Sequence, residues 1–234
     1  MTKTKTRAIG CLSLAVIGLA ASVQAEEFHT IVGAKSSTAS TDLWPVSNLI
    51  QGPGVGFDAN GTNDKLVGGP EGNWVTDAPG GFPSDYIEKA GKPVITLDLG
   101  ADTSLSEISI WGYTASNANG VSVFSLKFAT AAEGEAGFGS SITYAPVFSG
   151  LLNLDNARQS FLFGETVKAR YVQFTAEDNF FSGDGTGVGG TAPGGDRVGL
   201  GEIAFSTVPE PSVVGFSCLG GLMLLALRRS RAGR

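Results

Sequence analysis

Histidine is almost absent: His29 is the only one in 234 residues. A nucleophile–histidine–acid triad deep in a core is therefore excluded, as is a zinc site with two or more histidine ligands. Cysteine is nearly as scarce, and Cys11 and Cys218 both lie in apolar segments near the chain ends. Nothing between them can form a disulfide, so the middle of the chain must be stabilised by packing, with or without a bound ion. Basic residues are few, 16 against 22 acidic ones. Three of the bases fall in residues 1–25 and four in 209–234, whereas Glu210 is the only acid there, so residues 26–207 carry a net charge of −12. With no internal basic cluster, nucleic acid is excluded as a partner. What is abundant is glycine, 34 residues without a G-X-Y period, which predicts a globular chain rich in turns.

The long apolar runs sit at the two ends. Lys3, Lys5 and Arg7 precede the run Ala8–Ala21, and Val23-Gln24-Ala25 follows. This is the layout of a secretory signal peptide, residues 1–25, with signal peptidase cutting before Glu26. At the other end Val208-Pro209-Glu210-Pro211 leads into the uncharged stretch Ser212–Leu227, then Arg228, Arg229, Arg231 and Arg234. Sixteen helical residues span roughly 24 Å, a marginal membrane helix whose terminal arginines snorkel and favour a cytoplasmic C-terminus. Residues 208–234 resemble the PEP-CTERM sorting signal in all three parts: the Pro209-Glu210-Pro211 motif, the transmembrane helix and the Arg228/Arg229-led tail. That resemblance implies an exosortase as processing partner. The domain would be anchored transiently in the inner membrane, facing the periplasm, and then displayed on the cell surface or in the extracellular matrix.

Residues 26–207 read as one all-β domain. Short apolar or alternating runs recur at 28–33, 94–99, 106–113, 122–129, 143–148, 158–163, 169–175 and 202–206, with clear period-two alternation in Ile95/Leu97/Leu99, Phe124/Leu126/Phe128 and Val172/Phe174. Helical spacing finds scarcely any support. The expectation is an eight-stranded antiparallel jelly-roll sandwich with two long loops, 34–93 and 176–201.

Six landmarks in order, Ser47-Asn48-Leu49-Ile50-Gln51-Gly52, Gly72–Thr76, Val94–Gly100, Ile108–Tyr113, Ala169–Phe174 and Gly199–Phe205, resemble those of discoidin-like domains of the coagulation factor type C, galactose-binding-like group. In related carbohydrate-binding modules an acid of the first loop and a late glutamate help hold a structural calcium ion, which implies Glu202. This chain departs by carrying Gln51 where an aspartate is usual. The run Asp58-Ala59-Asn60-Gly61-Thr62-Asn63-Asp64 offers hard oxygens that could compensate, giving Asp58, Asp64 and Glu202 as calcium ligands. Ordinary turn chemistry accounts for the same residues.

Loop aromatics are the candidate ligand contacts, since a sugar ring stacks on an exposed aromatic face. Trp44, Trp74, Phe82 and Tyr86 lie in the first loop, and Phe180 and Phe181 in the second. Anchoring the loops to the sandwich is the competing role for each. Catalysis has little support: Glu177-Asp178 are neighbours and cannot jointly flank a glycosidic bond. The run Gly185–Gly190 lacks the lysine and following helix of a phosphate loop. The sequence thus favours a non-enzymatic exported module that binds carbohydrate of the exopolysaccharide or cell surface. A self-associating matrix protein without a defined ligand is the alternative.

Overall fold

The computed structural model describes residues 28–40, 43–51, 72–113, 118–146, 158–181 and 193–208. The signal segment, the sorting tail, Asp58 and Asp64 lie outside them. Nine strands are described: β1 Phe28–His29, β2 Gly33–Ser36, β3 Trp74–Val75, β4 Val94–Trp111, β5 Val121–Ala129, β6 Ile142–Tyr144, β7 Arg158–Asn179, β8 Gly199–Leu200 and β9 Glu202–Thr207. A 3-10 turn, Val46–Ile50, and a five-residue helix α1, Tyr86–Ala90, complete the set. Among the described residues no helix is long and apolar enough to cross a membrane.

Two strands organise everything else. The predicted runs 94–99 and 106–113 fuse into β4, and 158–163 and 169–175 fuse into β7. The two pair as one long antiparallel ribbon, from Val94↔Thr175 to Trp111↔Arg158, broken by register shifts between Asp98 and Thr103 and between Leu105 and Glu107. Gly100 lies in the first break with φ +81, a conformation that side chains with a Cβ avoid. Different strands flank the ribbon on either side of the break. The stretch Val94–Asp98 carries β2, and the facing half of β7 carries β5 and then β6. The stretch Leu105–Trp111 carries β9 and then β1.

The ribbon folds over on itself to enclose one core. Phe124 of β5 stacks on Phe174 in the second half of β7 at 4.8 Å and meets Phe161 from the first half edge-on at 5.3 Å. Phe128 meets Phe163 at 5.2 Å. Rings from both halves of one strand reach the same sheet only if the break makes a corner, which gives two leaves packed face to face. Alternation along each leaf supplies the filling: Ile95, Leu97 and Leu99 from one, Ile108, Ile110, Ile203 and Phe205 from the other, all buried. Each such side chain contributes about 1.5–3 kcal/mol on burial.

This folding defines two ends. The corner end holds residues 98–107 and 163–170. At the opposite loop end the starts of β4, β5 and β9 meet the finish of β7. The first expected long loop, 34–93, carries regular structure among its described residues: most of β2, the 3-10 turn, β3 and α1. Helix α1 is a purely local construction. Asp85 Oδ1 accepts from the Ile87 and Glu88 amides at 2.8 and 3.4 Å, and Gly91 closes the turn on Ile87 O.

Candidate functional site

Four segments converge at the loop end: residues 76–86, 118–120, 179–181 and 193–199. Buried amide side chains join them. Asn179 Nδ2 donates to Gly195 O at 2.7 Å and to Arg197 O at 3.1 Å, while its Oδ1 accepts from the Phe181 amide at 3.0 Å. Asn119 Oδ1 accepts from the Gly195 amide at 2.6 Å. Thr76 N–H donates to Val198 O, its Oγ1 accepts from the Val198 amide, and Arg197 Nη1 donates to Thr76 O at 3.1 Å. The Tyr86 amide donates to Gly195 O at 2.8 Å. A side chain at Gly195 would strike Phe181, since an added Cβ would lie 2.5 Å from Phe181 Cβ at φ +94. Glycine is the residue this close approach requires.

The consequence is a short excursion, residues 77–85, tied at both feet to the same stretch, 195–198. Within it Gly81 N–H donates to Ala78 O and Ser84 Oγ to Gly81 O. Phe82 stands on this braced turn with 61% of its surface exposed, and Asp77, at the first foot of the excursion, is exposed as well. Arg197 and Asp196, both half-buried, lie on the stretch that ties it down. An exposed apolar ring can stack on a sugar face, and the arginine and carboxylate side chains of the same loop end are of the type that hydrogen-bonds its hydroxyls.

The six candidate aromatics have different fates. Trp74 is fully buried on β3 opposite Leu200, and Tyr86 is 3% exposed at the start of α1. Both are core anchors, so neither offers a free face. Trp44 is half-buried and its carbonyl accepts from the Val75 amide. Its indole N–H is buried without an acceptor among the described residues. Phe180 and Phe181 are half-buried, packed over Gly120 and Gly195. Only Phe82 combines exposure with a braced backbone. Sequence reasoning missed the residues that do the bracing, Thr76, Asn119, Asn179 and Arg197, because each looked like ordinary turn or loop composition.

The carboxylate candidates divide too. Glu202 is 1% exposed and pairs across the ladder with Trp111. Among the described residues no three His, Cys, Asp or Glu side chains come together. One observation favours a cation nearby: Gln51 donates through Nε2 to Asn48 Oδ1, yet its Oε1 is buried without a partner among the described residues. That oxygen suits calcium in type but brings no charge. Glu177 is engaged elsewhere, accepting from Lys92 Nζ at 2.6 Å and from Ser125 Oγ. Burial pushes its carboxyl up, but those two bonds and the Lys92 charge outweigh it and hold it below the usual glutamate range. His29 lies at the corner end, where Nε2 bonds Leu99 O at 2.9 Å, remote from the loop end.

No protein-family model matches the chain, and no curated protein is similar to it in sequence. Among solved structures it is similar to the family 32 carbohydrate-binding module of C. perfringens NanJ in complex with galactose, at 16% identity and a TM-score of 0.42, covering 74% of this chain and 92% of that one. It is also similar to a Streptococcus pneumoniae fucose binding module, at 11% identity and a TM-score of 0.44, over 78% of this chain and 98% of that one. A third is the corresponding module of AlyQ in complex with 4,5-unsaturated mannuronic acid, at 18% identity and a TM-score of 0.44, over 76% and 97%.

Proposed function

We propose that the chain is an exported, non-catalytic carbohydrate-binding protein whose loop end grips a glycan of the exopolysaccharide or cell surface, and that an exosortase processes its Pro-Glu-Pro tail. The observation that carries the reading is Phe82, an exposed ring on a turn braced at both feet against the 195–198 stretch. Pre-organisation lowers the ordering cost of binding, which a loose loop would have to meet. The acidic domain favours neutral over anionic glycans, unless a calcium ion bridges the two. Calcium held through Gln51 Oε1 and the Asp58–Asp64 carboxylates, with Glu202, is part of the same proposal.

The test is titration of residues 26–207 with galactose, fucose and the producer's own polysaccharide. Saturable binding is expected, weakened roughly tenfold or more by Phe82→Ala, a loss of about 1.4 kcal/mol. The corner-end change Val32→Ala should leave it intact. Absence of binding together with concentration-dependent assembly in sedimentation would replace this reading with the self-associating matrix protein.

A further inference from the structure

Both ends of the described domain leave from the corner end. β1 pairs with the finish of β9, Phe28↔Ser206 and His29↔Phe205. Val208, the last described residue, donates its amide to Ser104 O at 3.0 Å, and His29 bonds Leu99 O. Ser104 and Leu99 belong to the corner where the ribbon turns. The other finish of the molecule carries Trp111, Asn119, Asn179, Gly195 and the braced turn of Phe82. β9 alone, six residues from Glu202 to Thr207, separates the two by about 20 Å.

Only Pro209, Glu210 and Pro211 stand between Val208 and the uncharged run Ser212–Leu227. Fully extended, three residues reach about 11 Å, and two prolines restrict even that. We infer that while the tail is in the membrane the domain stands on its corner end, and the loop end with Phe82 faces away from the bilayer. The tethered protein thereby presents its outward end before any processing of the tail. The orientation rests on the proposed membrane tail, and its use in recognition rests on the reading of the loop end as the binding site; the orientation itself is measurable without any ligand.

The experiment uses the chain from Glu26 to Arg234 in a Cys218→Ala background, which leaves no native cysteine. The chain is reconstituted in phosphatidylcholine vesicles. Single cysteines replace Val32 at the corner end, Lys127 in mid-leaf or Asp77 at the loop end. Each carries a fluorescent donor, and energy transfer to a headgroup-labelled lipid is read. Transfer should fall in the order 32, 127, 77, to roughly half or less across the ~20 Å rise. Equal transfer at 32 and 77, or the reverse order, overturns the inference. So does a chain that stays off the vesicles, because then nothing tethers the corner end. Failure of glycan binding in the soluble domain leaves the energy-transfer gradient untouched, so the two readings fail separately.

Discussion

Asn179 offers the sharpest test of how the loop end is held. Its side chain is 4% exposed and makes three hydrogen bonds, to Gly195 O, Arg197 O and the Phe181 amide. Asn179→Ala removes all three. Gly195 O keeps the Tyr86 amide at 2.8 Å, so two groups lose this partner, the Arg197 carbonyl and the Phe181 N–H. At about 1–3 kcal/mol for each buried group left unpaired, and with both residues near solvent, the expected cost is about 2–4 kcal/mol. In a domain of this size that lowers Tm by roughly 5–15 °C.

Urea unfolding followed by tryptophan fluorescence is a suitable assay, because Trp74 and Trp111 are fully buried. The midpoint should fall with the slope unchanged. Asn179→Asp keeps the acceptor but sets a carboxylate against two carbonyl oxygens, which raises its folded pKa above the unfolded value of about 3.9. A raised acid pKa means the folded state binds more protons, so this variant should come closest to wild type near pH 4. It should fall further behind as pH rises towards its folded pKa. A loss below about 0.5 kcal/mol for the alanine variant, within the range of an ordinary surface change, would refute the claim that this amide joins the loops.

Two further outcomes follow from charges. Arg170 donates to both Asp98 oxygens at 3.0 and 3.2 Å; that bond, helped by the Gly100 amide and opposed by burial, holds the Asp98 carboxyl below its usual 3.8. A depressed carboxylate stabilises above its unfolded pKa and loses that contribution as pH falls through the folded value. The melting temperature of wild type should therefore exceed that of Arg170→Met at pH 6, and the gap should close towards pH 2.5; a gap independent of pH would rule this out. Calcium should raise the melting temperature of residues 26–207 relative to EDTA, and Asp58→Asn with Asp64→Asn should abolish the rise. No shift at millimolar calcium counts against any site there.

Legibility in the sequence followed the physics of each element. Strands with a wet face and a core face announce themselves by alternation, and every predicted run overlaps a strand. The corner of the ribbon did not, because Gly100 and Gly164, both at positive φ, stand between the alternating runs, so β4 and β7 each read as two strands. Helix α1 escaped because five residues are too few for a 3.6-residue period, although its Asp85 cap and closing Gly91 are visible in Asp85-Tyr86-Ile87-Glu88-Lys89-Ala90-Gly91. β3 and β8, two residues each, carry no pattern at all. At the site, residue type alone could not sort six loop aromatics into core and surface. Trp74 and Tyr86 went inside because their backbones pair with the 195–200 stretch, a contact more than a hundred residues distant in the chain.

The division of labour at the loop end explains why residue chemistry and residue importance separate there. Asn179, Asn119 and Thr76 are polar yet inaccessible, and their bonds fix backbone rather than ligand. Phe82 is apolar yet exposed, and no described interaction asks it to be aromatic. In a domain with no disulfide and a net charge of −12, buried amide networks are among the few available ways to make loops rigid without adding charge. A polar core beneath an apolar tip inverts the ordinary rule of burial. That inversion, at the end opposite Phe28 and Val208, where the described domain begins and finishes, is what singles the loop end out.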